Sequence, residues 1–349
     1  MEIYILYFHC SSSFSKFYRI KRYSFQGAIL VEFFFIVSGF LMAESISHYQ
    51  IEKATISQGK IIQKFMIHKI QSICPEVIVA WIIGFVVSHI AVSGITLKIL
   101  IKDLLGGVSN LLFLWGTGIA GFNANTAAWY ISCMLLAMLI LLPIFIKNPE
   151  FFLRVLAPLI TIFILGYVSK TIGNLRKPSR WMGFCYLGLL RAVAEMSLGC
   201  TCWNACQWLK TLHFKKPIRL FFSAFECACY VGILAWTYQH KGSQMDFTIV
   251  FTFAMAITIT FSRHGFLSPL FDNKLVYFLG KISFPIYLGH GYWSHALYRL
   301  YPSESYVQIM PKYILVTLTT TNVIYWTSKG IRKVCPQCLL LCRKYFLDK

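Results

Sequence analysis

Several ionisable side chains stand inside apolar runs, where a charge is costly, and their chemistry is the first thing to place. Glu32, in VEFFFIVSGFLM, is the only charge between Phe25 and Ala43. That stretch of about 19 residues would cover roughly 28 Å as a helix, close to the hydrocarbon thickness of a bilayer. A carboxylate at bilayer depth costs at least ~2.5 kcal/mol, so it needs a partner or a polar cavity, unless it sits near the end of the span and reaches the headgroups. Arg191, in GLLRAVAEMSLGC, is expensive for the same reason unless it meets an acid or a phosphate. Glu195 follows four residues later, on the same helical face. The two either neutralise each other or leave Arg191 to hold a phosphate or pyrophosphate with its forked donors. His9 ends the short apolar run IYILYFH, and an imidazole suits a general base. Lys281, Tyr287 and His290 fall together in LGKISFPIYLGHGYW and could line one cavity, although His290 could equally be a hydrogen-bonded core residue.

The elements that must carry these groups are membrane helices. Apolar residues make up 57% of the 349 and charged residues 13%, and mean hydropathy is +0.62, well beyond ordinary soluble usage. Apolar runs recur along the whole chain, which favours one membrane domain over two soluble ones. The fold class expected is all-α, a polytopic membrane protein of about ten spans. After a short first helix and Phe25 to Ala43, they fall near Ile73 to Ser93, Ala127 to Ile146, Phe152 to Thr171, Phe184 to Ala205, Ile218 to Tyr238, Phe247 to Phe261, Val276 to Leu297 and Tyr313 to Thr327. Thr96 to Leu114 carries Lys98, Lys102 and Asp103 early, then Gly106 and Gly107, and reads as an interfacial helix.

The formal net charge of +20 does not imply nucleic acid, because most Lys and Arg lie in the joints between apolar runs, where they orient spans and meet anionic headgroups. Their distribution weakly favours cytoplasmic termini at both ends, with the basic joints Lys16 to Arg22 and Arg176 to Arg180 falling on the other side against the trend. The basic residues follow the first apolar run rather than precede it, which is not the order of a signal peptide. Most of the 12 cysteines lie in or beside apolar segments and behave as small hydrophobes. CPQCLLLC, near the C-terminus, contains a C-x₂-C pair with no second pair to complete a zinc site, so no metal is expected.

VEFFFIVSGFLM resembles the acidic residue, Phe pair and Ser-Gly-Phe of the second span in the acyltransferase-3 family of multi-spanning membrane acyltransferases. Further stretches are similar to that family in the same order. FMIHKIQSICPEVIVAW looks like its basic run leading to a Pro-containing span, and AWYISCMLLAMLILLPIF its Trp-containing span ending in Pro. GLLRAVAEMSLGC resembles the span with a buried Arg, and LGKISFPIYLGHGYW the late Gly-Lys-x-Ser, Tyr-Leu, His motif. The chain departs from the pattern twice. Cys133 and Met134 stand where many members carry a Glu a few residues after the Trp, and the family's first-span Arg has no position to occupy. An earlier start codon would account for that truncated first helix.

The resemblance implies one acyltransferase-3-like domain over residues 1–349 and an O-acyltransferase. It would take acetyl from cytoplasmic acetyl-CoA, or another acyl-CoA, as co-substrate and place it on a hydroxyl of a cell-envelope glycan, in the inner or plasma membrane. It places the catalytic histidine at His9, counts Glu32 with it as catalytic, and assigns donor or substrate contacts to Trp129, Arg191, Glu195, Lys281, Tyr287 and His290. No bound cofactor and no nucleic acid are expected; membrane lipids, acyl-CoA and a carbohydrate acceptor are. The other class compatible with intramembrane charges is a transporter or flippase. Neither an inverted repeat nor a pair of matching broken helices is visible to favour it.

Overall fold

The computed structural model describes residues 29–52, 57–90, 92, 94–119, 121–239, 242–266 and 272–334. His9, the Lys16 to Arg22 joint and CPQCLLLC therefore lie outside the described residues. Among the described residues the chain is helical throughout, apart from short turns and one isolated bridge between Trp181 and Tyr186. The helices are α1 (Leu30–Glu52), α2 (Gln58–Ile90), α3 (Leu97–Leu111), α4 (Ala128–Lys147), α5 (Pro149–Thr171), α6 (Leu187–Lys210), α7 (Lys216–Gln239), α8 (Met245–Ser262), α9 (Lys274–Gly289), α10 (Trp293–Leu300) and α11 (Tyr306–Val334).

Six of these are long and apolar enough to cross a membrane: α1, α2, α4, α5, α7 and α8. Among the described residues the count of about ten is not confirmed, for physical reasons. The expected first span lies outside the described residues. Phe184 to Ala205 does form a helix, α6, but one that buries Arg191 and Glu195 within the protein. Tyr313 to Thr327 lies in the long but polar α11. Val276 to Leu297 is not one helix. It stops at Gly289 and restarts at Trp293, leaving two helices too short to cross.

The helices gather into two compact units. Among the described residues, one comprises 59–132 and 278–334 and the other 29–58 and 133–277. In the second unit α6 is central: every residue from Leu187 to Cys200 is buried, and the helix packs on α1, α5 and α8. Its contact with α1 is unusually close. A Cβ added at Gly39 would lie 2.0 Å from the Met196 carbonyl oxygen, and one at Gly199 would lie 2.1 Å from that of Ile36. Only glycine allows two backbones to approach this far. The Ser-Gly-Phe triplet thus has a local purpose: Gly39 makes the crossing, and Phe40 stacks on Phe261 at 4.4 Å between ring centroids. On the α5 side, the Thr161 hydroxyl lies within hydrogen-bond reach of the Ala157 and Ala194 carbonyls at 3.0 and 2.9 Å. Pro158 lacks the N–H that a regular turn requires, and the turn before it, Phe152–Leu156, is widened into a π-helix.

In the first unit, α2 runs for 33 residues through Pro75, so the basic run and the expected span form a single helix. Arg332 of α11 donates to the Ser72 carbonyl and to Glu76 Oε2, both at 2.6 Å. The stretch read as interfacial, Thr96 to Leu114, forms helix α3. Thr96 caps its first turn through Ile99 N, and Leu97, Ile101, Leu105 and Val108 are exposed alongside Lys98 and Lys102. An apolar face beside lysines suits a helix lying at the headgroup boundary. At the α9 to α10 break, freed carbonyls find donors. Asn125 Nδ2 donates to Leu288 O at 3.1 Å, and the Tyr313 hydroxyl to His290 O at 3.2 Å.

Candidate functional site

Side chains on an α-helix tilt toward its N-terminus. That lean brings Glu195, one turn on, within electrostatic reach of Arg191, while the Arg191 guanidinium itself reaches a neighbouring helix. Arg191 Nη2 donates to Glu32 Oε1, and Nε donates to Glu32 Oε2 at 3.4 Å. This is the forked pairing that a guanidinium makes with a carboxylate. The hydrogen-bonded partner of Arg191 is thus Glu32 across two helices, with Glu195 on its own helix also acting on its charge.

All three groups are sealed from solvent, with Glu32 and Glu195 at 0% exposure and Arg191 at 2%. The Glu195 carboxyl lies beside that of Glu32, and among the described residues neither of its oxygens meets an N–H or O–H donor from elsewhere. A second fastening holds the same helix pair a few turns on. Glu44 Oε2 accepts from Trp203 Nε1 and, at 3.2 Å, from Gln207 Nε2. Glu32 with Arg191 and Glu44 with Trp203 share one offset of 159 residues, so α1 and α6 run parallel in a fixed register, with the Gly39 crossing between the two anchors. Glu32 does not reach for headgroups: it is partnered inside the unit.

The first unit holds the remaining expected residues that are described. Tyr287 and His290 are buried at 6% and 2% exposure, and their rings lie 5.7 Å apart. His290 Nδ1–H donates to the Tyr287 carbonyl at 2.6 Å. Tyr287 meets Tyr130 edge-on at 5.8 Å. Trp129 lies beside Tyr130 and, at 5.9 Å, Trp115. Trp129, Tyr287 and His290 thus fall into one aromatic group. Lys281 stands apart on the exposed first half of α9. His9 lies outside the described residues, and no cluster of metal-binding side chains occurs among the described ones.

Some buried polar groups carried no sequence signal. Glu226 of α7 is 1% exposed and accepts from the Thr260 hydroxyl at 2.5 Å. His89 and Asp103, in the first unit, face each other at 3.2 Å. Their partners are distant or on another helix, so no motif spacing marks them.

Comparison with known proteins places the family. Residues 3–329 match the acyltransferase-3 family, described as an acyltransferase domain. The O-acetyltransferase PaAT-1 of Phomopsis amygdali is 28% identical over 138 residues, 38% of this chain and 26% of that protein. The chain therefore spans about a quarter of the curated relative it matches. No solved structure matches. With buried charges on apolar helices and a family match running nearly end to end, the chain belongs to the acyltransferase-3 family of membrane acyltransferases.

Proposed function

We propose that this protein transfers an acetyl group from cytoplasmic acetyl-CoA to a hydroxyl of a cell-envelope glycan, as a multi-pass enzyme of the inner or plasma membrane. The observation that carries the reading is the family match over residues 3–329; the partial similarity to an O-acetyltransferase supports the acetyl group.

In this reading His9 takes the proton of the acceptor hydroxyl as its oxygen attacks the thioester carbonyl. The C–O bond forms, the C–S bond breaks, and coenzyme A leaves as the thiol once its sulfur receives a proton. Cationic or dipolar groups stabilise the oxyanion formed between these events. Trp129, Tyr287 and His290 contribute to substrate contact, with Lys281 meeting the donor's charge. Glu32 supports the site indirectly, by fixing Arg191 and with it the register of α1 against α6. Both termini lie in the cytoplasm.

The test is transfer of labelled acetyl from acetyl-CoA by membranes carrying the parent chain or His9→Ala. The parent should label glycan, and His9→Ala should not, at an equal protein level in the membrane. Undiminished labelling by His9→Ala would remove His9 from the chemistry.

A further inference from the structure

A cavity of about 370 Å³, largely apolar but with several polar groups in its wall, opens in the first unit where the end of α2, the start of α3, the 122–126 loop and α10 converge. Its size falls within the roughly 300–1,000 Å³ of small-molecule sites. Neither the sequence motifs nor the family match assigns it a role, and its groups do not act as a simple structural plug.

His89 is held from both sides. Nδ1–H donates to the Phe85 carbonyl at 2.7 Å, and Nε2 faces Asp103 Oδ2 at 3.2 Å. With both nitrogens engaged, His89 is not poised as a base; it fixes Asp103 at the cavity wall. Among the described residues, two further lining groups lack partners. Tyr292 is 5% exposed, yet its hydroxyl meets no described hydrogen-bond partner, and the buried Asn123 Oδ1 meets none either. An orphaned buried polar atom costs the full desolvation of that group, so two on one cavity wall are groups held ready for a ligand. The Tyr292 ring is clamped against Gly84, where an added Cβ would lie 3.0 Å from its Cδ1, and it packs with Val87 and Ala296. Arg299, exposed on α10, adds a guanidinium to the lining, and His295 lies one turn before it.

We propose that this cavity binds an acidic sugar. Ring hydroxyls would donate to Asn123 Oδ1 and Asp103 and accept from the Tyr292 hydroxyl, while a carboxylate or phosphate on the sugar meets Arg299. Acceptors and donors side by side suit a hydroxylated ring, which offers both, and the forked donors of arginine suit a planar or tetrahedral anion. As the acceptor site of the transfer reaction, this assignment rests on the acyl-transfer reading; as a binding site it does not.

The experiment is saturation-transfer NMR on the full chain in detergent, with glucuronic acid and the neutral methyl glucoside as probes. Glucuronic acid should bind the parent. Tyr292→Phe and Asn123→Ala should each weaken it about tenfold, the scale of a lost hydrogen bond to a buried group. Arg299→Gln should weaken glucuronic acid and leave methyl glucoside unchanged. Tyr292→Phe should melt at or above the parent temperature, because the hydroxyl it removes has no partner. Glucuronic acid binding that is absent from the parent, or unaltered in these variants, overturns the site. Equal binding of the two sugars with no effect of Arg299→Gln overturns the acidic preference. Acetyl transfer by a parent that binds neither sugar would retain the acyl-transfer reading and reject this cavity alone.

Discussion

Replacing Glu32 by glutamine leaves the Arg191 guanidinium buried at 2% exposure without its forked carboxylate partner. Breaking one side of a buried pair costs about 3–5 kcal/mol, because the remaining charge keeps its desolvation penalty and loses its compensation. At roughly 2–4 °C per kcal/mol for larger domains, Glu32→Gln and Arg191→Leu should each lower the melting temperature in detergent by on the order of 10 °C. Glu195→Gln should behave oppositely. Among the described residues neither of its oxygens meets an N–H or O–H donor, and an amide beside Glu32 supplies a donor without adding charge, so stability should hold or rise. The triple variant Glu32→Leu, Arg191→Met, Glu195→Leu should recover most of the loss, as apolar replacement of a whole buried ionic cluster often does. Coenzyme A binding by that variant separates scaffold from site. Binding equal to the parent leaves Arg191 as scaffold, and folding with lost binding would make it a donor contact. A Glu32→Gln protein as stable as the parent would refute the reasoning from the buried pair.

Three further outcomes follow from the packing and the charge pattern. Gly39→Ala places a Cβ about 2 Å from the Met196 carbonyl oxygen. The backbone there cannot yield as a flexible side chain would, so α1 must retreat from α6, at a cost of about 1–3 kcal/mol or more in thermal unfolding. Asn125→Leu strips the donor from Leu288 O at the α9 break and should cost about 1–3 kcal/mol by leaving a buried carbonyl unmet, whereas exposed Asn322→Ala should change the melting temperature little. A C-terminal reporter that fluoresces only in the cytoplasm should light up if both termini face that side; a dark reporter would shift the orientation or the span parity.

The sequence showed that Glu32 and Arg191 each needed a partner, because a charge inside an apolar run has few tolerable environments. It pointed to Glu195 at i, i+4 as a partner of Arg191 and could not show Glu32, because that partner lies on a helix 159 residues away in sequence. The Ser-Gly-Phe triplet was visible as a pattern, whereas its physical reason, the Gly39 crossing, needed the second helix. Hydropathy averaged across Gly289 to Gly291 reads as one span, since residues on both sides are apolar and the break depends on Asn125 and Tyr313 meeting freed carbonyls. That Thr96 to Leu114 forms a separate short helix rather than a long span was legible from Lys98, Lys102 and Asp103 in its first turns and the Gly106–Gly107 pair after them. The His89 and Tyr292 cavity was not, since its walls come from segments separated by well over a hundred residues.

The central claim is acyl transfer to an envelope glycan, and mass spectrometry of envelope glycans from cells with and without this gene tests it most directly. Isotope-labelled acetate supplied to both should appear as an O-acetyl ester on a glycan from the first cells and be missing from the second. Identical glycan acetylation in the two would contradict the account.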